Sequence, residues 1–221
     1  MFLSQHIALK KIQIIAASIS VGCLYLYSSA THAFDLNCTS DTSNFVQRKA
    51  CSSTFDETRQ RLIDKLSTAY LISDAPHRLL STTQDLWLKR LKQCKTTRCI
   101  EQQFEQRTSE LTIYITLNQS LTQHYLKTEQ GLPTEQTVYL QFHQLNKDRI
   151  KIEGIAYRNA NNSEQNQKIV FNAYTPTTDK ENIQNIENDC QYDVSYRKAY
   201  IQLNSKEPKC ERFVGLYRLY D

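Results

Sequence analysis

Cys94 and Cys99 have four residues between them in KQCKTTRCIE, and such a pair can do two kinds of chemistry. As thiolates they could supply half of a zinc site; as an oxidised pair they would close a short loop. Cys38, Cys51, Cys190 and Cys210 face the same choice. No histidine lies close in sequence to complete a compact zinc motif. An even number of cysteines in an exported chain favours disulfides. The four amino-terminal cysteines allow three pairings, and sequence does not select among them. The local solution is Cys38 with Cys51 and Cys94 with Cys99. Cys190 and Cys210 are expected to pair, as the two cysteines of the carboxy-terminal half.

Export is read from the first 33 residues. Lys10 and Lys11 precede the apolar run IQIIAASISVGCLYLY, and the small residues of SSATHA follow it. This is the pattern of a secretory leader cleaved after Ala33. The run is shorter than the roughly 20 residues that span a bilayer, and no basic cluster follows it. Cleavage would remove Cys23 and leave six cysteines. It would also remove Lys10 and Lys11, taking the formal charge from +4 to +2. That is too little for an electrostatic footprint on nucleic acid. The expected location is the periplasm or the exterior, with no stable membrane span after cleavage.

Catalytic chemistry finds few footholds. His77, His124 and His143 sit beside no serine elbow and in no metal motif. Asp85, Glu101 and Glu105 read as ordinary helical acids. Oxidised cysteines offer no thiolate nucleophile. Four glycines, at 22, 131, 154 and 215, form no phosphate loop. The expectation is a protein with no catalytic residue, no metal and no cofactor.

Recognition is better served. The chain has 13 tyrosines, many in its carboxy-terminal half, and tyrosine suits interfaces because it buries a ring while keeping a polar tip. Tyr196, Arg197, Lys198 and Tyr200 read as an exposed basic turn. Lys95 and Arg98 form a second basic tip between two helices. Either could enter the carboxylate-lined cleft of a glycoside hydrolase.

Two kinds of element must position these residues. From Phe55 to Tyr125 there is no glycine and only Pro76, with helix formers throughout. Leu62, Leu66, Ala69 and Tyr70 share one face of a helix that should stop near Ser73. Leu79, Leu80, Trp87, Leu91 and Cys94 mark a second helix. Ile100, Phe104, Leu111 and Ile115 mark a third, which the reading extends toward Leu121 and His124. Lys92–Arg98 is too charged for a core and reads as the hairpin turn. Asp41 or Thr42 could cap a short helix through Lys49. After Gly131 and Pro133 the period becomes that of strands: 137–142, 149–157, 167–174, 190–196, 199–203 and 213–220. The loops 159–167 and 175–189 read as polar surface connections.

The fold class is therefore α+β: a disulfide-stapled helical amino-terminal domain, then a small antiparallel β domain, barrel or sandwich. The boundaries read as a leader at 1–33, a helical domain at 34–128, a linker at 129–136 and a β domain at 137–221.

The segment from Phe34 to Leu111 resembles the LprI-like domain of exported bacterial proteins. The resemblance rests on FDLNC at Phe34–Cys38, Ala50-Cys51, Leu62, Leu66 and Tyr70, then Gln84, Trp87, Leu88 and Cys94, then Cys99, Ile100, Phe104, Arg107 and Leu111. It departs from that pattern at Gln47, Ile63 and Leu91. More faintly, Cys190, Cys210 and FVGLYRLY at Phe213–Tyr220 resemble strand-rich modules attached to such domains. The family is helical, exported and cysteine-paired, and includes a lysozyme inhibitor. The resemblance implies a non-catalytic periplasmic binding protein whose partner is a lysozyme or another peptidoglycan hydrolase. The alternatives are an envelope adaptor or toxin-immunity protein with one cognate protein partner, and a glycan-binding module.

Overall fold

The computed structural model describes Leu36, Cys38 and residues 44–162 and 167–220. The expected leader, with Cys23, lies outside them, as do Asp41 and Thr42. Cys38–Asp221 forms one compact unit.

Four α-helices come first. Helix α1 (Phe45–Ala50) is capped by Asn44, whose Oδ1 accepts from the Val46 N–H at 2.9 Å. Cys51 at its end is bonded to Cys38. Helix α2 (Asp56–Leu71) starts with Asp56 and Glu57, acids that suit the positive end of the helix dipole. Its Arg59 donates to the Ser52 carbonyl at 3.0 Å and to that of Ala50, which holds the end of α1. Helix α3 (His77–Lys92) starts behind Pro76. Helix α4 (Thr97–Thr116) is capped by Thr96, which accepts from the Cys99 N–H at 3.2 Å. The helical core holds most of the expected set: Leu62, Leu66, Ala69, Leu79, Leu80, Trp87, Leu91, Ile100, Phe104 and Leu111 are buried, whereas Tyr70 and Ile115 are half-buried. Trp87 packs edge-on against Phe104 at 5.4 Å, and its Nε1–H donates to the Gln103 carbonyl at 2.8 Å.

The rest is one antiparallel sheet of nine strands: β1 (Thr122–Glu129), β2 (Leu132–Pro133), β3 (Val138–Asn146), β4 (Arg149–Tyr157), β5 (Lys168–Pro176), β6 (Asn182–Asn185), β7 (Cys190–Tyr196), β8 (Tyr200–Asn204) and β9 (Gly215–Tyr220). The order is β5-β4-β3-β1-β9-β8-β7-β6, with β2 paired to β1. The sheet curls into a near-barrel. Its outer strands meet where the Ile186 N–H donates to the Asn172 carbonyl at 2.9 Å and the Asn172 N–H to Asn185 Oδ1 at 3.0 Å.

Alternate side chains point inward. Leu140, Phe142, Ile152, Phe171, Tyr192, Val194, Ile201, Leu203 and Tyr217 fill the interior. Gly154 belongs to this lining because a Cβ there would press on Leu140 and sit 2.8 Å from the Tyr139 carbonyl oxygen. The Cys190–Cys210 bond ties β7 to the short 3-10 segment Pro208–Phe213.

The sheet begins earlier than the sequence reading placed it. Residues 122–129 are strand, so Leu121 and His124 do not extend the helix. Strand β1 is the first half of a hairpin whose turn, Gln130-Gly131, takes positive φ at both positions (53° and 81°). The strand does not alternate in sequence because both its faces are covered. Tyr125 points into the barrel, while His124, Leu126 and Thr128 lie buried on the other side.

Candidate functional site

The two basic elements singled out in the sequence lie at opposite ends of the strands. The β7–β8 turn, Arg197–Ala199, follows Tyr196, which faces Ile201; Tyr200 faces Arg218 on β9. Tyr220 then faces His124, Thr122 faces His143, and Asn146 faces Arg149. This turn therefore shares its end of the barrel with the β3–β4 turn and the β5–β6 connection. Lys95 and Arg98, both exposed, sit at the α3–α4 tip. That tip is clasped by the β4–β5 connection, which leaves the sheet after Tyr157 at the other end. Helix α4 runs between the two ends, and its 20 residues span about 30 Å.

The α3–α4 tip is rigid for three reasons. Cys94 and Cys99 are bonded, with Cα atoms 5.5 Å apart. Thr96 caps α4. Asn161 accepts from the Lys95 N–H at 2.9 Å and donates to the Gln93 carbonyl. The β4–β5 connection thus docks on the helices through its described ends. Ala160 is buried, and Gln167 donates to Gln102 and to the Ala160 carbonyl, both at 2.8 Å. A surface excursion was expected there. Asparagine-rich composition reads as solvent-facing, yet asparagine side chains also clasp backbone.

The β7–β8 turn is braced from beneath. The Arg197 N–H donates to the Tyr200 carbonyl at 2.9 Å, and the Leu219 N–H to the Ala199 carbonyl at 3.0 Å. Tyr196 is half-buried. Its hydroxyl donates to the Lys180 carbonyl at 2.9 Å, the Lys180 ammonium sits 4.6 Å over its ring, and Phe142 packs edge-on at 6.3 Å. Burial pushes this phenol well up from its ordinary range. Tyr196 is therefore a brace, whereas Arg197, Lys198 and Tyr200 are exposed. The rim around them carries Lys147, Arg149 and Lys180 as well as Asp148, Asp179 and Glu181.

A third locus lies between the helices and the outer face of the sheet. Arg107, fully buried, donates from Nε to Gln84 Oε1 at 3.0 Å and from Nη1 to Glu110 at 2.8 Å. Arg90, 3% exposed, pairs with the same carboxylate at 3.2 Å and donates to Thr137 Oγ1 at 3.3 Å. Its guanidinium lies 3.8 Å over the Tyr157 ring, and the Tyr157 hydroxyl donates to Glu110. Beside them Gln119, His124, Tyr139 and Gln141 form a hydrogen-bonded row that ends on Glu153, 2.6 Å from Lys151 on the surface. Burial raises the phenols of Tyr114 (to about 12), Tyr139 and Tyr157, and lowers His124 to about 4. All four are neutral near pH 7.

Sequence reasoning missed this layer because Arg90 and Glu110 look like surface charges on polar helices. A usable signal was present. Arg90 lies three residues after Trp87 and four before Cys94, inside the buried stripe. His77 packs against Tyr70 at 5.6 Å, and His143 meets the Thr122 hydroxyl at 2.8 Å. Among the described residues no group of three or more His, Cys, Asp or Glu could hold a metal ion, and no helix is long and apolar enough to cross a membrane.

No family model, no curated protein and no solved structure matches the chain.

Proposed function

We propose that this chain is a non-catalytic envelope binding protein that occludes a peptidoglycan hydrolase, with the β7–β8 turn as the inserted element. The carrying observation is the pairing of exposed Arg197 and Lys198 with a braced base. The turn is tied by Arg197–Tyr200, Ala199–Leu219 and Tyr196–Lys180 hydrogen bonds. A preorganised cationic turn loses little ordering entropy on entering an acidic cleft, and its charges complement catalytic carboxylates. The three disulfides and the resemblance to the LprI-like domain support the same reading, as does an export leader. Tyr200, 41% exposed, would pack on the rim of that cleft. Inhibition of a panel of muramidases by the pure mature protein tests the proposal. The expected result is inhibition of at least one at micromolar protein; activity unchanged across the panel, with no binding, overturns it.

A second reading is an adaptor or immunity protein with one cognate partner. The placement of Lys95 and Arg98 at the other end of the barrel favours it, because two separated rigid tips suit a scaffold. Affinity capture with crosslinking separates the readings. One cognate protein held through both tips, with muramidases untouched, would favour the second.

A further inference from the structure

Ile169, Phe171 and Ala173 turn into the barrel, so Lys168, Val170, Asn172 and Tyr174 of β5 turn outward. Val170 and Tyr174 are each 43% exposed. A groove lies at each end of this outer face. One, of about 390 Å³, is lined by Asn146, Asp148, Arg149 and Tyr174, among others. The other, of about 330 Å³, is lined by Gln102, Glu105 and Gln106 of α4 and by Gln167, Lys168 and Val170. Lys168 and Tyr174 are six positions apart in one strand, so the track between the grooves runs about 20 Å. The charges along it cancel. Arg149, Lys151 and Lys168 stand against Asp148, Glu153 and Glu105, and Lys151 is paired with Glu153 at 2.6 Å. A polyanion gains little from such a face. An added peptide strand is blocked as well. Halfway along β5 the Asn172 carbonyl accepts from the Ile186 N–H at 2.9 Å, and the Asn172 N–H donates to Asn185 Oδ1 at 3.0 Å. What remains is a neutral polar track with one aromatic platform. The Arg149 guanidinium lies 4.8 Å over the Tyr174 ring and holds it in place. Gln102 spends its oxygen on Gln167, which leaves its amide hydrogens to donate beside the Glu105 acceptor. A sugar has an apolar C–H face and a hydroxyl rim, so it stacks on a phenol ring while its rim reaches flanking amides and carboxylates.

We propose that the outer face of β5 binds a linear, uncharged glycan, with Tyr174 as the stacking platform at one groove and Gln102, Glu105 and Lys168 as hydrogen-bonding partners at the other. Side-chain amides suit a chain that carries acetamido groups, because each presents both a donor and an acceptor. The site does not use the β7–β8 turn and needs no hydrolase, so its failure and the failure of the proposed occlusion are separate results.

Titration calorimetry of the full mature protein, with its disulfides intact, compares the N-acetylglucosamine hexamer with the monomer. The hexamer should bind with a dissociation constant of about 1 mM or tighter, and the monomer at least about tenfold more weakly, because it engages one groove only. Tyr174→Val keeps strand propensity and removes the ring. Glu105→Ala removes an exposed acceptor at the other groove. Each should weaken the hexamer by about three- to tenfold and leave the fold intact by thermal melting. Backbone amide shifts during the titration should map to both grooves. No binding at about 10 mM hexamer, binding that neither variant weakens, or displacement of the hexamer by an extended neutral peptide overturns the proposal.

Discussion

The Tyr139 hydroxyl lies 2.5 Å from Nδ1 of His124, and Gln119 on the other side of the ring fixes which nitrogen of this buried histidine carries the proton. Gln119 spends its amide N–H on the Tyr114 carbonyl at 2.9 Å, so its oxygen must accept from His124 Nε2 at 2.7 Å. Nε2 therefore holds the proton of the neutral ring, and Nδ1 competes with Gln141 Oε1, 3.0 Å away, for the single Tyr139 hydroxyl proton. Protonating Nδ1 would place a cation in the interior, where burial disfavours it.

A pH dependence of stability follows. Burial lowers His124 from 6.5 to about 4 in the folded protein, so the unfolded chain binds its proton first as pH falls. This contribution is fully present above pH 6.5, is lost between 6.5 and about 4, and levels off below that. Its full size is about 3 kcal/mol. Urea unfolding across this range checks it: His124→Gln should remove that part of the slope and leave the carboxylate titrations.

The buried ion cluster should respond asymmetrically. Glu110→Gln leaves two guanidiniums facing each other without a carboxylate, at a cost of about 3–5 kcal/mol. Arg107→Met leaves the neutral Arg90–Glu110 pair and should cost less, since it removes the excess charge along with the partner. Denaturant midpoints of the two variants measure the order.

Gly154→Ala should destabilise by about 1–3 kcal/mol through overpacking. The added methyl meets the Tyr139 backbone oxygen at 2.8 Å, which cannot move without disturbing the β3–β4 ladder. Thermal melting reads the loss.

Disulfide removal should scale with loop length. Replacing Cys190 and Cys210, 20 residues apart, by alanine should cost about 3 kcal/mol. Replacing Cys94 and Cys99, five apart, should cost about 2 kcal/mol. Chemical unfolding of the two double variants gives the comparison.

The parts legible in sequence were those with a local signature. The Lys92–Arg98 turn interrupts two apolar stripes, and it is the observed α3–α4 tip. Residues 149–157 read as one strand, and they are β4. Its register runs unbroken through Gly154, so Ile152 and Ala156 face the barrel interior. Ile155 and Tyr157, which a slip at the glycine would turn inward, face the helices. Cys190 and Cys210 had one economical pairing, and they are bonded. Strand β1 was hidden because both its faces are buried, which removes the two-residue period. Strand β6 was hidden by its four-residue length within a polar connection. The Arg90–Glu110 contact was hidden because it joins two helices through residues that most often face water. For the basic turn, chemistry was legible but placement was not. That Tyr196 braces while Tyr200 projects depends on strand register and on Lys180 folding back. That Lys95 and Arg98 belong to a different end depends on topology.

The most direct measurement is binding of the pure mature protein to an immobilised muramidase, comparing wild type with Arg197→Glu/Lys198→Glu and with Arg98→Glu. Wild type should bind at micromolar concentration or tighter, and the double reversal at the β7–β8 turn should weaken binding at least about tenfold without changing the melting temperature. Arg98→Glu, at the opposite end, should bind like wild type. Binding that ignores the charge reversal at Arg197 and Lys198, or no binding by the wild type, would contradict the account.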